Sequence, residues 1–483
     1  RDDLPAAAAA LLAAGHRLAL VACPEDDVGF RVVYAFTAPA PGPAVELVVG
    51  VPRQDAWIPS LAAISYPASR FEREVRDLYG VRPEGHPLPH RLLRHGHWPR
   101  GWYPMLRDAD PDPRFDADVG SFPFLEVAGT GVYEIPVGPV HAGLIEPGHF
   151  RFSVVGETIL RMKARLWFLH RGIEKLFEGR SPADGIELAE RISGDTAVAH
   201  TLAYVMAVEA AAGIDVPESQ RTLRALLLEL ERLHNHVADL GALANDVGLG
   251  IAHAHAGRMR ETLLRLNKAT TGHRLLRGAI SVGGASVLSL PDPDLLHRVA
   301  AQVAELVDLT LGHSVVADRF TGTAVLSSVQ ATEIGTLGFV ARASGLDIDA
   351  RRDRPFADLG PAFEVVCEDA GDVLARYRVR AREFAVSTAV ALDLVAALGR
   401  RDHRHPSGAA GGSGAGLGEV EAWRGTLVHR VELGSSGEVT RVKVVDPSFF
   451  NWPALPLALA DTIVPDFPLA NKSFNQSYAG NDL

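Results

Sequence analysis

Glu190-Arg191-Ile192-Ser193-Gly194-Asp195-Thr196-Ala197-Val198-Ala199-His200 and, near the C-terminal end, Asp446-Pro447-Ser448-Phe449-Phe450-Asn451 are the two stretches around which the chain is organised. Each places small polar side chains beside a carboxylate: Ser193 and Thr196 flank Asp195, and Ser448 and Asn451 follow Asp446. Hydroxyls and amides cannot replace the thiolates that hold soft, redox-active metals. The chain has two cysteines, Cys23 and Cys367, and neither lies beside either stretch. A hard-cation site built from Asp195, Ser193, Thr196 and Asp446 is one possibility, since such cations take oxygen ligands. The plainer one is that these side chains simply fill space.

Composition bounds the class of molecule. At 483 residues two or more domains are expected, and 47% hydrophobic with 22% charged residues is the balance of globular units with a large core. A formal net charge of -11, with no long basic block, argues against a nucleic-acid partner. No stretch approaches the roughly 20 consecutive apolar residues of a spanning helix, and the Ala-rich run from Pro5 to Gly15 is too short and lacks a signal-peptide layout. Two cysteines in so long a chain fit a reducing compartment. The expectation is a chain without membrane spans on the cytoplasmic side.

Residues 1–107 read as a small α+β domain. His16 to Ala22, Phe30 to Phe36 and Val45 to Gly50 are β-branched-rich runs separated by turn signals, which predicts three strands. A helical region follows across Trp57 to Tyr79. The stretch Phe71-Glu72-Arg73-Glu74-Val75-Arg76-Asp77-Leu78-Tyr79-Gly80-Val81-Arg82-Pro83-Glu84-Gly85-His86-Pro87 resembles the signature of the small hydrophilic (30-kDa-type) subunit of respiratory complex I. It departs afterwards, with Leu88-Pro89-His90-Arg91 where that family continues Asp-Leu-Arg-Arg. Its charges are read as structural and interfacial. Residues 108–129, rich in Pro and Asp without periodicity, read as a linker.

Residues 130–483 resemble the large subunits of membrane-bound (formate hydrogenlyase-type, group 4) nickel-iron hydrogenases and complex I. In the hydrogenases the two opening stretches read Arg-x-Cys-Gly-x-Cys with a following His, and Asp-Pro-Cys-x-x-Cys; the four cysteine positions fall here on Ser193, Thr196, Ser448 and Asn451. The resemblance thus implies a site that has lost its metal ligands. Gly138-Pro139-Val140-His141 and Glu146-Pro147-Gly148-His149-Phe150-Arg151 resemble a segment whose second histidine meets the quinone headgroup in complex I. Counting from Gly-Pro gives His141, and counting back from Arg151 gives His149. Histidine suits proton delivery because it titrates near neutrality. The tyrosine that complex I sets against the same headgroup falls on Gly194 in a gapless alignment. His170-Arg171-Gly172-Ile173-Glu174-Lys175 resembles a hydrogenase motif in which the glutamate passes protons, so Glu174 is the candidate proton carrier, with an exposed pair to Arg171 or Lys175 as the alternative.

The remaining elements read as helices over Val216 to Gly241, Arg258 to Thr271, Val299 to Leu311 and Ala370 to Leu398, the first with an apolar stripe from Leu223 to Leu240. His234 and His236 do not share a helical face. Gly283-Gly284 predicts a tight turn, and no Gly-x-Gly-x-x-Gly supports nucleotide binding. Arg401 to Gly418 reads as a flexible Gly- and His-rich loop, and Thr426 to Val445 as a hairpin about Gly434 to Gly437. The tail from Ile463 to Asn475 is expected to pack across the fold.

The fold class expected is an α+β N-terminal domain plus a mainly α-helical hydrogenase/complex I large-subunit-like domain with peripheral strands. The resemblance implies an oxidoreductase subunit at the cytoplasmic face of the membrane, with a metal-free cavity for a quinone or another small acceptor. It implies as partners an iron–sulfur small subunit carrying a [4Fe–4S] cluster and antiporter-like membrane subunits that move ions. His141, His149 and Glu174 would handle protons, Arg171 and Arg191 would stabilise charge, and His149, Asp195 and Asp446 would line the ligand site. The competing class is a non-catalytic scaffold that transmits conformational change to the membrane arm.

Overall fold

The computed structural model describes residues 1–38, 42, 44–116, 122–143, 145–399 and 412–483. The N-terminal unit is an antiparallel sheet of Arg17–Ala22, Gly29–Thr37 and Val45–Pro52 with the middle strand central. Where one helical region was expected from Trp57 to Tyr79, Trp57–Pro59 is a strand paired in parallel with Arg82–Glu84, and the helix is Tyr66–Tyr79. Ser65 caps that helix by accepting from the Ala68 N–H, and Gly80 ends it at φ 80°.

This helix carries the complex I-like signature, and its charges point inward. Glu72 accepts from the Ser60 hydroxyl and the Leu61 N–H, both at 2.6 Å. Asp77 gathers the N–H groups of Leu92, Leu93 and Arg94. Glu74 pairs at 2.7 Å with Lys443, which belongs to the large domain, and Arg70 donates to the Phe449 carbonyl. Glu72 and Asp77 shape their own loops, while Glu74, with Arg70 just before the motif, ties the two domains together.

The large domain opens with an antiparallel sheet, Val132–Val137, His149–Val155 and Thr158–Arg165. A helical bundle follows: Ala197–Ala212, Glu218–Asp246, Gly250–Thr271, Pro293–Gly312 and Val373–Leu398. The stripe from Leu223 to Leu240 lies wholly inside it. Gly283 turns, at φ 84°, between the paired strands Ile280–Ser281 and Gly284–Ala285. No single helix among the described residues is long and apolar enough to cross a membrane; the pair Pro293–Gly312 and Ser314–Phe320, bent by 81°, passes by length and composition.

The flexible loop expected over residues 401–418 needs correction at its end. Residues 400–411 lie outside the described ones, but Gly414–Ala422 is a strand, paired with Gly425–Leu433, which pairs in turn with Val439–Val445. Its glycines are not a sign of looseness. A methyl at Gly416 or Gly418 would overlap the Ala207 or Ala203 carbonyl of helix Ala197–Ala212, so alternate glycines let the strand lie directly on an Ala-rich helix.

Candidate functional site

The two opening stretches converge. Helix Ala197–Ala212 begins just after Thr196, and its first N–H groups, of Val198 and Ala199, are taken by the Glu231 carboxyl at 2.6 and 3.1 Å. Asp446 caps helix Pro447–Asn451 by accepting from the Ser448 N–H at 2.7 Å, with Pro447 at the first position. The first stretch therefore enters a helix on a borrowed cap, and the second carries its own.

Hydrogen bonds engage all four expected thiolate positions. The Ser193 hydroxyl meets the Ser477 hydroxyl at 2.9 Å, while the Ser477 N–H donates to the Ser448 hydroxyl at 2.9 Å, so one residue of the C-terminal segment stitches the two stretches together. Thr196 donates to Asp195 at 3.0 Å and receives the Trp423 indole N–H at 3.2 Å. Asn451 clasps the backbone of Leu337, accepting its N–H at 2.8 Å and donating to its carbonyl at 3.1 Å. Hydroxyls and an amide engaged in this way do not fit a nickel–iron centre. Cys23 is buried in the N-terminal core and Cys367 lies near the Leu346 carbonyl, so neither thiol reaches the site. Among the described residues no three His, Cys, Asp or Glu side chains converge to hold a metal ion.

Electrostatically the site is closed on itself. Arg424 grips Asp195 with two bonds of 2.7 Å and lies 3.9 Å over the Trp423 ring. Burial pushes the Asp195 carboxyl up, but Arg424 and the Thr196 and Ser193 hydroxyls outweigh it and hold the group well below the usual carboxylate range. Asp446 is likewise lowered against its burial, by His200 first. His200 lies between Asp446 and His429, 3.1 Å from each, and burial followed by the His200 charge pushes His429 far below an ordinary imidazole. Burial raises Glu231, behind this cluster, to about 8.

Beside these groups opens a cavity of about 560 Å³ lined by His141, Glu146, Ser193, Asp195, Arg424, Lys472 and Tyr478 among others. His141 is fixed there by 2.8 Å to the Gly148 carbonyl. His149 bonds the Gly138 carbonyl at 3.1 Å and opens instead on a larger cleft of about 1050 Å³, with His95, His170, Arg165 and Trp167. Gly194 faces the cavity, and a side chain there would meet open space.

The other expected residues sit around the cavity rather than in it. Arg171 donates to the carbonyls of Arg191 and Ile192 at 2.9 and 2.6 Å, bracing the first stretch from behind. Glu174 is buried, and it pairs with Lys443 at 3.0 Å and accepts the Val444 N–H at 2.9 Å, not with Arg171 or Lys175. Arg191 points to the surface and pairs with Glu187 at 3.0 Å, one helical turn away. The cavity's cations are Arg424 and Lys472, which the motifs did not flag. Arg424 sits in the two-residue turn joining Gly414–Ala422 to Gly425–Leu433, visible only once the first of those strands is recognised.

Residues 246–408 match the 49-kDa subunit of respiratory-chain NADH dehydrogenase, residues 1–114 the 30-kDa subunit of the same enzyme, and residues 171–244 the nickel-dependent hydrogenases. The chain is 34% identical to formate hydrogenlyase subunit 5 of Escherichia coli, over 85% of this chain and 74% of that protein. It is 31% identical to the membrane-bound hydrogenase subunit alpha of Pyrococcus furiosus, over 72% of this chain and 87% of that one. In fold it is similar to a chain of the membrane-bound sulfane sulfur reductase, an archaeal respiratory membrane complex, with a TM-score of 0.65 and 24% identity over 74% of this chain and 100% of that one.

Proposed function

The chain belongs to the family of large subunits that join complex I 30-kDa-type and 49-kDa-type domains in one polypeptide and that includes formate hydrogenlyase subunit 5, and on that premise we propose that it serves a membrane-bound oxidoreductase complex by binding a small organic acceptor, of the quinone class, in the His141–Asp195–Arg424 cavity. Electrons would arrive from a [4Fe–4S] cluster held by a partner subunit, and membrane subunits would couple the reaction to ion movement. The observation that carries this reading is the hydrogen-bonded oxygen network at the expected metal-ligand positions, with a cavity of about 560 Å³, lined by apolar as well as polar groups, open beside it, within the size range of small-molecule sites. His141 is the cavity residue suited to supplying a proton. Glu174, tied to Lys443, and His149, on the neighbouring cleft, are not lining residues of this cavity.

A short-chain benzoquinone titrated into the purified complex tests this. Saturable binding that weakens about tenfold in His141→Ala and is unchanged in His149→Ala is expected; no saturable binding overturns the reading.

A second reading, a scaffold that transmits conformational change, is supported by a chain of buried ion pairs leading away from the cavity. Lys472 meets Asp239 at 3.3 Å, Asp239 meets Arg380 at 3.2 Å, and Arg380 is followed one turn later by Glu383. Glu383 bonds His236 at 2.8 Å and Arg342 at 2.6 Å, and Arg342 meets Glu421 at 2.8 Å. Such a chain is rigid and costly to break. An unaltered complex that pumps ions but binds no quinone would favour this role.

A further inference from the structure

Two buried groups on the cavity wall keep unspent hydrogen-bonding capacity: the Gln476 amide oxygen, which has no partner among the described residues, and the Tyr478 phenol, whose oxygen is met by the Asn471 side chain and whose O–H is left to donate. Tyr478 and Gln476 are only 7% and 5% exposed. Leaving such a group unmet is unfavourable, and a phenylalanine would fill the same space as Tyr478 without that cost.

Both residues are held from elsewhere, so the Gln476 oxygen and the Tyr478 O–H are left for a ligand. The Gln476 amide nitrogen donates to the Phe474 carbonyl at 2.5 Å, which fixes its oxygen as the free end. The Tyr478 ring is fixed by packing: it lies 4.7 Å from the Trp452 ring and directly against Gly148, where any β-carbon would strike it. Gly148 is also the residue whose carbonyl holds His141. One glycine thus seats the phenol and the imidazole on the same wall, while Gly194 leaves space in the same cavity.

We infer that Tyr478 is the hydrogen-bond donor for a carbonyl oxygen of the cavity's ligand, with the Gln476 oxygen placed to accept from the hydroxyl that this ligand carries in its reduced form. The inference rests on the acceptor reading above and names its ligand chemistry: a small carbonyl compound interconvertible with its hydroxyl form. Burial pushes the phenol up to about 12, so it remains a donor across the physiological range. Tyr478 is a binding residue in this account, and proton delivery stays with His141.

The test uses the purified complex, unaltered and as Tyr478→Phe, with a short-chain benzoquinone labelled with carbon-13 at its carbonyls. Binding is followed by Trp fluorescence, and the carbonyl stretch by infrared difference spectroscopy. In Tyr478→Phe the Kd is expected to rise five- to fifteenfold and the carbonyl band to move back toward its frequency in apolar solvent, while the melting temperature holds or increases. Equal Kd and an unmoved band in the variant overturn the role of Tyr478 and leave the acceptor reading standing. No saturable binding to the unaltered complex overturns both. A fall in melting temperature with an unmoved band shows the phenol to be structural, and overturns the inference as well.

Discussion

Two hollows share the 138–149 segment as a wall, and they solve the problem of charge in opposite ways. In the smaller one each cation is matched: Arg424 with Asp195, and Lys472 with Asp239. In the larger one Arg91, Arg94, Arg100 and Arg165 face a cleft in which none of them forms an ion pair among the described residues; Arg94 and Arg165 donate only to backbone carbonyls. The cavity leaves no cation unpaired for an anionic ligand, and Glu146 and Asp246 add carboxyl groups to its wall, so it suits a ligand without negative charge. The unmatched cleft keeps its positive potential for whatever lies against it. A sequence line that groups His141 with His149 hides this difference, since the two rings belong to different hollows.

The largest expected effect comes from unmatching the cavity. Arg424→Met strands Asp195 and should destabilise the chain by about 2–3 kcal/mol in chemical denaturation, less than a fully buried pair because the Asp195 side chain is 39% exposed. A loss below about 0.5 kcal/mol would show that the cavity solvates Asp195 unaided and would dissolve the contrast.

Next is the pH dependence behind the cavity. Glu231, raised to about 8 by burial, binds its proton more tightly folded than unfolded. Stability should therefore fall as pH rises from the ordinary carboxyl range to about 8, at up to about 1.4 kcal/mol per pH unit, and then level off. Glu231→Gln should flatten this slope; an unchanged slope would remove Glu231 as its source.

In the cleft the sign reverses. His95 is lowered to about 4 by burial and then by Arg165, so its neutral form is favoured in the fold and its contribution is lost as pH falls from about 6.5 to about 4. His95→Gln should reduce the acid sensitivity of this region, read by hydrogen exchange around Leu166 and Trp167, whose carbonyls the ring contacts at 3.2 Å. The smallest effect is Arg100→Met, expected within about 0.5 kcal/mol because no pair is broken.

Much of this was legible in the sequence. The two stretches named the centre, and apolar periodicity placed the bundle because helix Glu218–Asp246 buries one continuous stripe. The N-terminal strands were visible because β-branched runs alternate with turn residues. What failed did so for reasons of packing. The start of strand Gly414–Ala422, as far as Gly418, looked like a loop because composition does not reveal a flat Ala-rich helix waiting beneath alternate glycines. Glu174 reads as a proton carrier or as a partner of the nearby Arg171 or Lys175 because its actual partner, Lys443, is distant in the chain. Tyr478 lies in a tail whose motif-free sequence gave no sign that Ser477 would join Ser193 to Ser448. Contacts across hundreds of residues are decided by tertiary geometry, and no local pattern records them.

Lys443 also bears on how such chains can be recombined. Two carboxylates contributed by different domains, Glu74 and Glu174, hold one ammonium between them at 2.7 and 3.0 Å, and their charges raise it to about 12 although burial opposes this. The seam therefore works as an electrostatic password: a transplanted N-terminal domain that offers an uncharged side chain at the place of Glu74 leaves the lysine with half its counter-charge.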